Sequence, residues 1–151
     1  YERRESNKIP ITHKDMTRFN ISIEDGVKMV IFACCNAMGG EIFIPKIPSY
    51  KILELAQAIA PNAELEIIGI RPGEKIHEEM ISASDSYNTF DIGKFYCILP
   101  AIPNFDLNLF IDKYNAEKVE EGFSYSSGNN DQWLSVNKLR ELITDNLGYI
   151  L

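Results

Sequence analysis

The stretch Glu64–Met80, ELEIIGIRPGEKIHEEM, decides how the rest of the chain is read. ELEIIGI is an apolar run of strand length, and Arg71-Pro72-Gly73 then turns the chain sharply. A guanidinium at the end of a strand stands where α/β proteins collect their ligands. After the corner, EKIHEEMI reads as a short helix or turn, with Glu78 and Glu79 on a solvated face.

Working outward from this strand, the preceding residues alternate between elements. Met16–Ser22, MTRFNIS, reads as a strand in which Phe19 and Ile21 are buried and Arg18 faces the other way. Ser22 is placed to cap a helix, with Asp25 three residues on. Val27, Val30, Ile31, Cys34 and Met38 repeat at helical spacing and form its expected core face, and Gly39-Gly40 stop it. GEIFIP is a short buried strand. Ser49 is the expected cap of the next helix, whose face is Ile52, Leu55, Ala56 and Ile59 and which Pro61 closes. The order strand, helix, strand, helix, strand predicts an α/β fold, a small sheet with helices packed on it. From about residue 101 the pattern loosens, so 101–151 reads as a loop-rich C-terminal extension of one domain spanning 1–151. It ends in a helix capped by Ser135 and stopped by Gly148.

Composition narrows the function classes. The 151 residues allow one ordinary domain, with 45% apolar and 25% charged residues, as in a globular protein. A net charge of -7 argues against a nucleic-acid or acidic-membrane surface, because such partners need a basic face. Any anion must be gripped locally by a few placed cations. No apolar run is long enough for a membrane span, and the first residues, YERRESNK, are not a signal peptide. They read as charged helix or loop, and the start without Met reads as a piece of something longer. Three cysteines, Cys34, Cys35 and Cys97, suggest free thiols in a reducing cytoplasm, with Cys34 and Cys35 expected in a buried helical face.

Several chemistries lack their residues. The paired glycines follow a helix instead of opening one, so they do not cradle a pyrophosphate. His13 and His77 are far apart, and no metal site is expected. Tyr114-Asn-Ala-Glu-Lys118 has the Tyr-x-x-x-Lys spacing of a reductase pair, but it lies in a loosely patterned segment without a cofactor loop and is read as coincidence. Arg18 and Arg71 carry two readings. One is an anion grip, in which each charge-assisted bond contributes about 1.5–3 kcal/mol net. The other is a pair of structural ion pairs, for instance Arg71 with Glu74.

PITHKDMTRFNISIEDGV, GGEIFIPKIPSYKILELAQAIAP, EIIGIRPGEKIHEEMI and FSYSSGNNDQWLSVNKLREL occur in that order here. Together they resemble the C-terminal part of the inverting UDP-N-acetylglucosamine 4,6-dehydratases, extended short-chain dehydrogenase/reductase enzymes of the pseudaminic acid pathway. The likeness runs from about Ile9 to the final helix. A capsule-type dehydratase/epimerase group is similar but differs at IPKIPS, RPGEK and YSSGNN, where this chain follows the dehydratase form. His13 stands where the family commonly has Asp. The resemblance implies a cytoplasmic homo-oligomer in which an N-terminal Rossmann domain, outside this chain, holds NADP and the catalytic residues. This chain would then be the substrate-binding portion, inactive alone. Arg18 and Arg71 would lie near the UDP diphosphate and Glu74 on a ribose hydroxyl, with Thr12 in the same pocket. In the family reaction NADP takes hydride from sugar C4, and the 4-keto group acidifies C5–H. Water leaves across C5–C6, hydride returns to C6, and C5 is reprotonated on the opposite face. A non-catalytic UDP-sugar-binding module is the alternative from another class.

Overall fold

The computed structural model of the protein describes residues 7–147. Most of YERRESNK and the helix stop at Gly148 lie outside the described residues. Along the chain come β1 (Lys8–Ile11), β2 (Thr17–Phe19), α1 (Ile23–Asn36), β3 (Ile42–Pro45), β4 (Ser49–Lys51) and α2 (Ile52–Ile59). They are followed by β5 (Glu64–Ile67), β6 (Glu79–Ile81), β7 (Thr89–Asp91), β8 (Phe95–Ile98), α3 (Leu107–Tyr114), β9 (Glu117–Lys118), β10 (Tyr125–Ser126) and α4 (Val136–Leu147). This is a mixed α/β chain, and it divides into two compact units: residues 1–20, 48–78 and 127–151 form one, and 21–47 and 79–126 the other.

In the first unit β1 and β5 pair in parallel, from Lys8 opposite Glu64 to Ile11 opposite Ile67. β2 and β4 pair antiparallel, with Arg18 opposite Tyr50. Helices α2 and α4 close over Ala58, Leu134 and Leu139, with Leu55, Tyr50, Val136 and Leu142 packed alongside. Arg140 on α4 donates to the carbonyls of Ala58 and Gln57 at 3.2 and 3.3 Å, covering orphan acceptors in the last turn of α2 with a favourable cation. Ser135 caps α4 as expected, accepting the N–H of Lys138 at 3.3 Å.

Ser49 does not cap α2. The residue before that helix is Lys51, whose side chain makes no capping bond. Ser49 instead lies in β4 and is fully buried, where its hydroxyl accepts from Asn130 Nδ2 at 2.9 Å. Its backbone N–H and C=O bond to Gln132 and Leu134, both at 2.8 Å. A buried serine needs partners for all its polar atoms, and the strand supplies them where a helix cap would not.

In the second unit β3, β8, β7 and β9 form an antiparallel sheet in that order. β7 and β8 make a hairpin that the sequence pattern did not single out. Asp91 Oδ1 accepts the Gly93 N–H at 2.8 Å, and Gly93 takes φ 83° in the turn. β10 pairs with β6, so EKIHEEMI contains no helix: Glu79 and Met80 are strand residues and the solvated helix face does not exist. The core consists of Phe43, Phe90, Cys97, Leu99, Phe110 and Ala116. Helix α3 falls within the segment that read as loop. Asp106 caps it, accepting the Leu109 N–H at 2.9 Å, and Asn115 ends it in the left-handed region at φ 47°.

Ser22 caps α1, its hydroxyl accepting the Asp25 N–H at 3.0 Å. Of the face that its spacing suggested, Met38 does pack on the core, but the helix turns a different side inward from the rest. Phe32 and Ala33 pack on the core, with Phe32 stacked on Phe95 at 4.7 Å between ring centroids. Val27, Val30 and Ile31 are exposed, as are Cys34 and Cys35. One aromatic ring buries more apolar area than the small β-branched side chains of the stripe, so Phe32 decides the rotation of the helix. The strand reading of MTRFNIS needs a similar change, since Met16 and Thr17 are its buried residues and Ile21 is 45% exposed.

Burial pushes the Cys97 thiol up to about 12. At pH 8, a thiol reagent should modify Cys34 and Cys35 in the native protein and reach Cys97 only after denaturant is added, as mass spectrometry of the labelled peptides would show. Replacing Asn130 with Ala leaves the buried Ser49 hydroxyl without its donor, and should lower the unfolding free energy by about 1–3 kcal/mol in urea titrations.

Candidate functional site

Two loops of the first unit share their anchors. One runs from Thr12 to Met16, between β1 and β2, and the other from Gly69 to Lys75, after β5. The Ile68 N–H donates to the Ile11 carbonyl at 2.8 Å, and the Thr17 N–H donates to the Ile76 carbonyl at 3.0 Å. Each loop is thus pinned to the other at both ends. Thr12, Arg18, Arg71 and Glu74 all lie on these loops or directly beside their anchors.

The Arg71 corner is built by its sequence. Glu74 donates its N–H to the Arg71 carbonyl at 3.1 Å, with Pro72 and Gly73 between them and Gly73 at φ 80°. Pro at the second position and a positive φ at the third are the type II turn pattern, and Gly meets the latter without strain. Glu74 Oε2 accepts the backbone N–H of Arg71 at 3.2 Å. The carboxylate therefore braces the turn through the main chain, and the Arg71–Glu74 ion pair considered from sequence does not form. Among the described residues the Arg71 guanidinium has no ion-pair partner, and the side chain is exposed.

Arg18 is held differently. Its Nη1 donates to the carbonyls of Thr17 and Ile76 at 2.6 and 3.2 Å, and Nη2 to the Met16 sulfur at 3.3 Å. Nε faces Glu78 Oε1 at 3.5 Å, and the Arg18 side chain is 22% exposed. Across the strand pair, burial pushes the Tyr50 hydroxyl above the usual phenol range, and the Arg18 charge offsets part of that shift. Thr12 donates its hydroxyl to the same Met16 sulfur at 3.3 Å, which joins it to Arg18 around one buried thioether. In the same loop His13 Nδ1 accepts the Asp15 N–H at 3.2 Å. The imidazole makes here the local bond that an Asp side chain makes in an Asx turn.

The structure thus gathers Thr12 and Arg18 at one sulfur and attaches Arg18 to the segment that begins at Arg71. It places Arg18 with most of its donors turned inward and Arg71 with its fork free. Such an arrangement could hold an anion, with one rigid cation and one exposed cation.

Sequence reasoning missed the supports of this site. His77 is exposed, as its charged segment suggests, but its Nδ1 lies 2.7 Å from the Thr17 hydroxyl, which in turn lies 2.7 Å from Ser127 Oγ. Glu78 belongs to Arg18 and not to a helix face. The readable signal was Ser-Gly at 127–128, small residues that admit a close neighbour. The Tyr-x-x-x-Lys spacing gathers nothing comparable: α3 ends at Tyr114 and Lys118 lies in β9, so the two do not share a helix. The Tyr114 hydroxyl donates to the Asn36 carbonyl at 2.6 Å, and burial pushes its pKa upward. Among the described residues no three His, Cys, Asp or Glu side chains converge as metal ligands, and no helix is long and apolar enough to cross a membrane.

Known proteins are similar to this chain. The chain is 49% identical over 150 residues to a UDP-N-acetylglucosamine 4,6-dehydratase (inverting) of Campylobacter jejuni, which covers 95% of this chain and 44% of that protein. It is 32% identical to a UDP-glucose 4-epimerase of Rickettsia felis, over 97% of this chain and 43% of that one. The chain therefore spans less than half the length of these relatives. Among solved structures, Pen from Bacillus thuringiensis superposes with a TM-score of 0.76 at 26% identity, covering 97% of this chain and 44% of its own. Residues 2–100 match the profile described as polysaccharide biosynthesis protein. With about two thirds of its length inside that profile, the chain belongs to the polysaccharide biosynthesis protein family.

Proposed function

We propose that this chain is the substrate-holding portion of a UDP-N-acetylglucosamine 4,6-dehydratase that inverts C5, making a 4-keto-6-deoxy sugar for pseudaminic acid and surface glycans. The single observation that carries this reading is the 49% identity to the Campylobacter jejuni enzyme, sustained over 150 residues. The residues support it physically. A UDP diphosphate needs a cation with free N–H donors, and Arg71 offers them at the tip of a braced turn. Arg18 adds a fixed positive charge at the base of the same loop. Glu74 keeps one carboxylate oxygen, Oε1, for a ribose hydroxyl while Oε2 braces the turn. Thr12 completes the rim.

The NADP of such an enzyme is not assigned to this chain. Gly39 and Gly40 follow α1, and the first turn of that helix carries Glu24 and Asp25, which repel a pyrophosphate. Hydride chemistry belongs to a Rossmann domain preceding this portion in the complete protein. What residues 1–151 contribute is binding and orientation: the UDP handle is immobilised so that the sugar presents one geometry to the reacting groups. We further assign the complete enzyme to the cytoplasm as a homo-oligomer.

A second reading, UDP-sugar 4-epimerisation, draws on the likeness to the Rickettsia felis epimerase at 32% identity. One assay separates the two. The complete gene product, supplied with UDP-N-acetylglucosamine and NADP, should release a 4-keto-6-deoxy product with inverted C5, identified by NMR. A C4 epimer formed without loss of water would establish the second reading, and no turnover by a folded protein would refute both. In the same protein Arg71→Ala should weaken UDP binding at least tenfold by calorimetry. An unchanged dissociation constant removes Arg71 from the site.

A further inference from the structure

The hydrogen bonds around Thr17 run in one direction only. Ser127 Oγ is fully buried and accepts the Glu78 N–H at 2.9 Å. Its own hydrogen needs an acceptor, and among the described residues the Thr17 hydroxyl oxygen, 2.7 Å away, is the one that the Ser127 hydroxyl reaches. Thr17, 4% exposed, has a single hydroxyl hydrogen, which then goes to His77 Nδ1 at 2.7 Å. Nδ1 must therefore carry a lone pair. In this direction of bonding the ring hydrogen of His77 is on Nε2. The reverse direction would leave the Ser127 hydrogen buried without an acceptor.

The backbone beside this relay is shaped for the ring. A Cβ on Gly128 would lie 2.7 Å from His77 Cγ and Nδ1, so only glycine leaves space for the imidazole. The Ser127 N–H donates to the Glu78 carbonyl at 2.7 Å, closing a two-way bond between residues 127 and 78. His77 itself lies between Ile76, whose carbonyl holds Arg18 and the Thr17 N–H, and Glu78, whose carboxylate faces Arg18.

We propose that His77 is a positioning residue for the UDP grip: the relay Ser127 to Thr17 to His77 fixes the imidazole, and through it the segment bearing Arg71 and the partners of Arg18. This rests on the reading of Arg18 and Arg71 as the grip. An aliphatic side chain at 77 would leave the Thr17 hydrogen unbonded and free the segment, whereas Asn presents Oδ1 close to where Nδ1 stands and keeps the acceptor.

The test uses the complete gene product labelled with ¹⁵N-histidine, together with His77→Leu, His77→Asn, Gly128→Ala and Arg71→Ala variants. Wild-type His77 should show the Nε2–H tautomer at neutral pH by imidazole ¹⁵N–¹H correlation. UDP, measured by calorimetry, should bind His77→Leu at least tenfold more weakly and His77→Asn within threefold of wild type. Gly128→Ala should lose both the tautomer signature and the affinity. An Nδ1–H or imidazolium spectrum overturns the relay, even if a substituted variant fails to fold. Equal losses in His77→Leu and His77→Asn, or no loss in His77→Leu while Arg71→Ala binds poorly, overturn the positioning role and leave the grip intact. Unweakened binding by Arg71→Ala refutes the grip and the positioning role with it, and the tautomer then judges the relay by itself.

Discussion

One carbonyl oxygen, that of Ile76, holds the candidate site together. It accepts the Thr17 N–H at 3.0 Å and Arg18 Nη1 at 3.2 Å. The first bond pins a loop after β5 to the strand that follows β1, and the second brings a cation to the same point. Because Ile68 is tied to Ile11 at the far end, the segment carrying Arg71 cannot drift without breaking a main-chain bond. A turn whose two ends are fixed loses less conformational freedom when it closes on a ligand, which is the usual route to affinity from a small number of contacts.

The two arginines divide the electrostatic task. In a chain of net charge -7, an anion finds no general attraction, so local arrangement must supply it. Arg18 is desolvated and fixed by backbone carbonyls, neutral acceptors that orient the guanidinium without cancelling its charge. Among the described residues its carboxylate neighbour is Glu78, which stands at 3.5 Å and is 44% exposed, too wet to neutralise it fully. Arg71 remains in water, where its fork is available and its hydration is the cost of engagement.

Much of this was legible in the sequence, and the exceptions have physical causes. Ser22, Ser135 and the Arg-Pro-Gly corner announce themselves because capping and turn chemistry are local, decided within four residues. The rotation of α1 was not legible, since several of its sides are apolar and the choice fell to Phe32 meeting Phe95 across 63 positions of sequence. Ser49 carried a strong capping signal that tertiary structure overrode, because Asn130 and the segment 132–134 offered it a fuller set of bonds. Helix α3 was signalled by Asp106 and Asn115 but hidden among prolines and aromatics. For the site, side-chain type and strand ends pointed to Arg18 and Arg71. Nothing local marked His77, whose partners are 60 and 51 residues away.

The chain visits its two units alternately, and that path sets an order of assembly. Everything required for the sheet around Phe90 and Phe110 has been synthesised once Ser126 leaves the ribosome. The unit bearing Arg18 and Arg71 must wait for Ser127, Asn130 and α4, although its strand β1 precedes every element of the other unit. Translation that stops shortly after Ser126 would therefore yield a polypeptide with one finished unit and a candidate site whose loops are present but unfastened, and such a product exposes its unfinished half to proteases and chaperones.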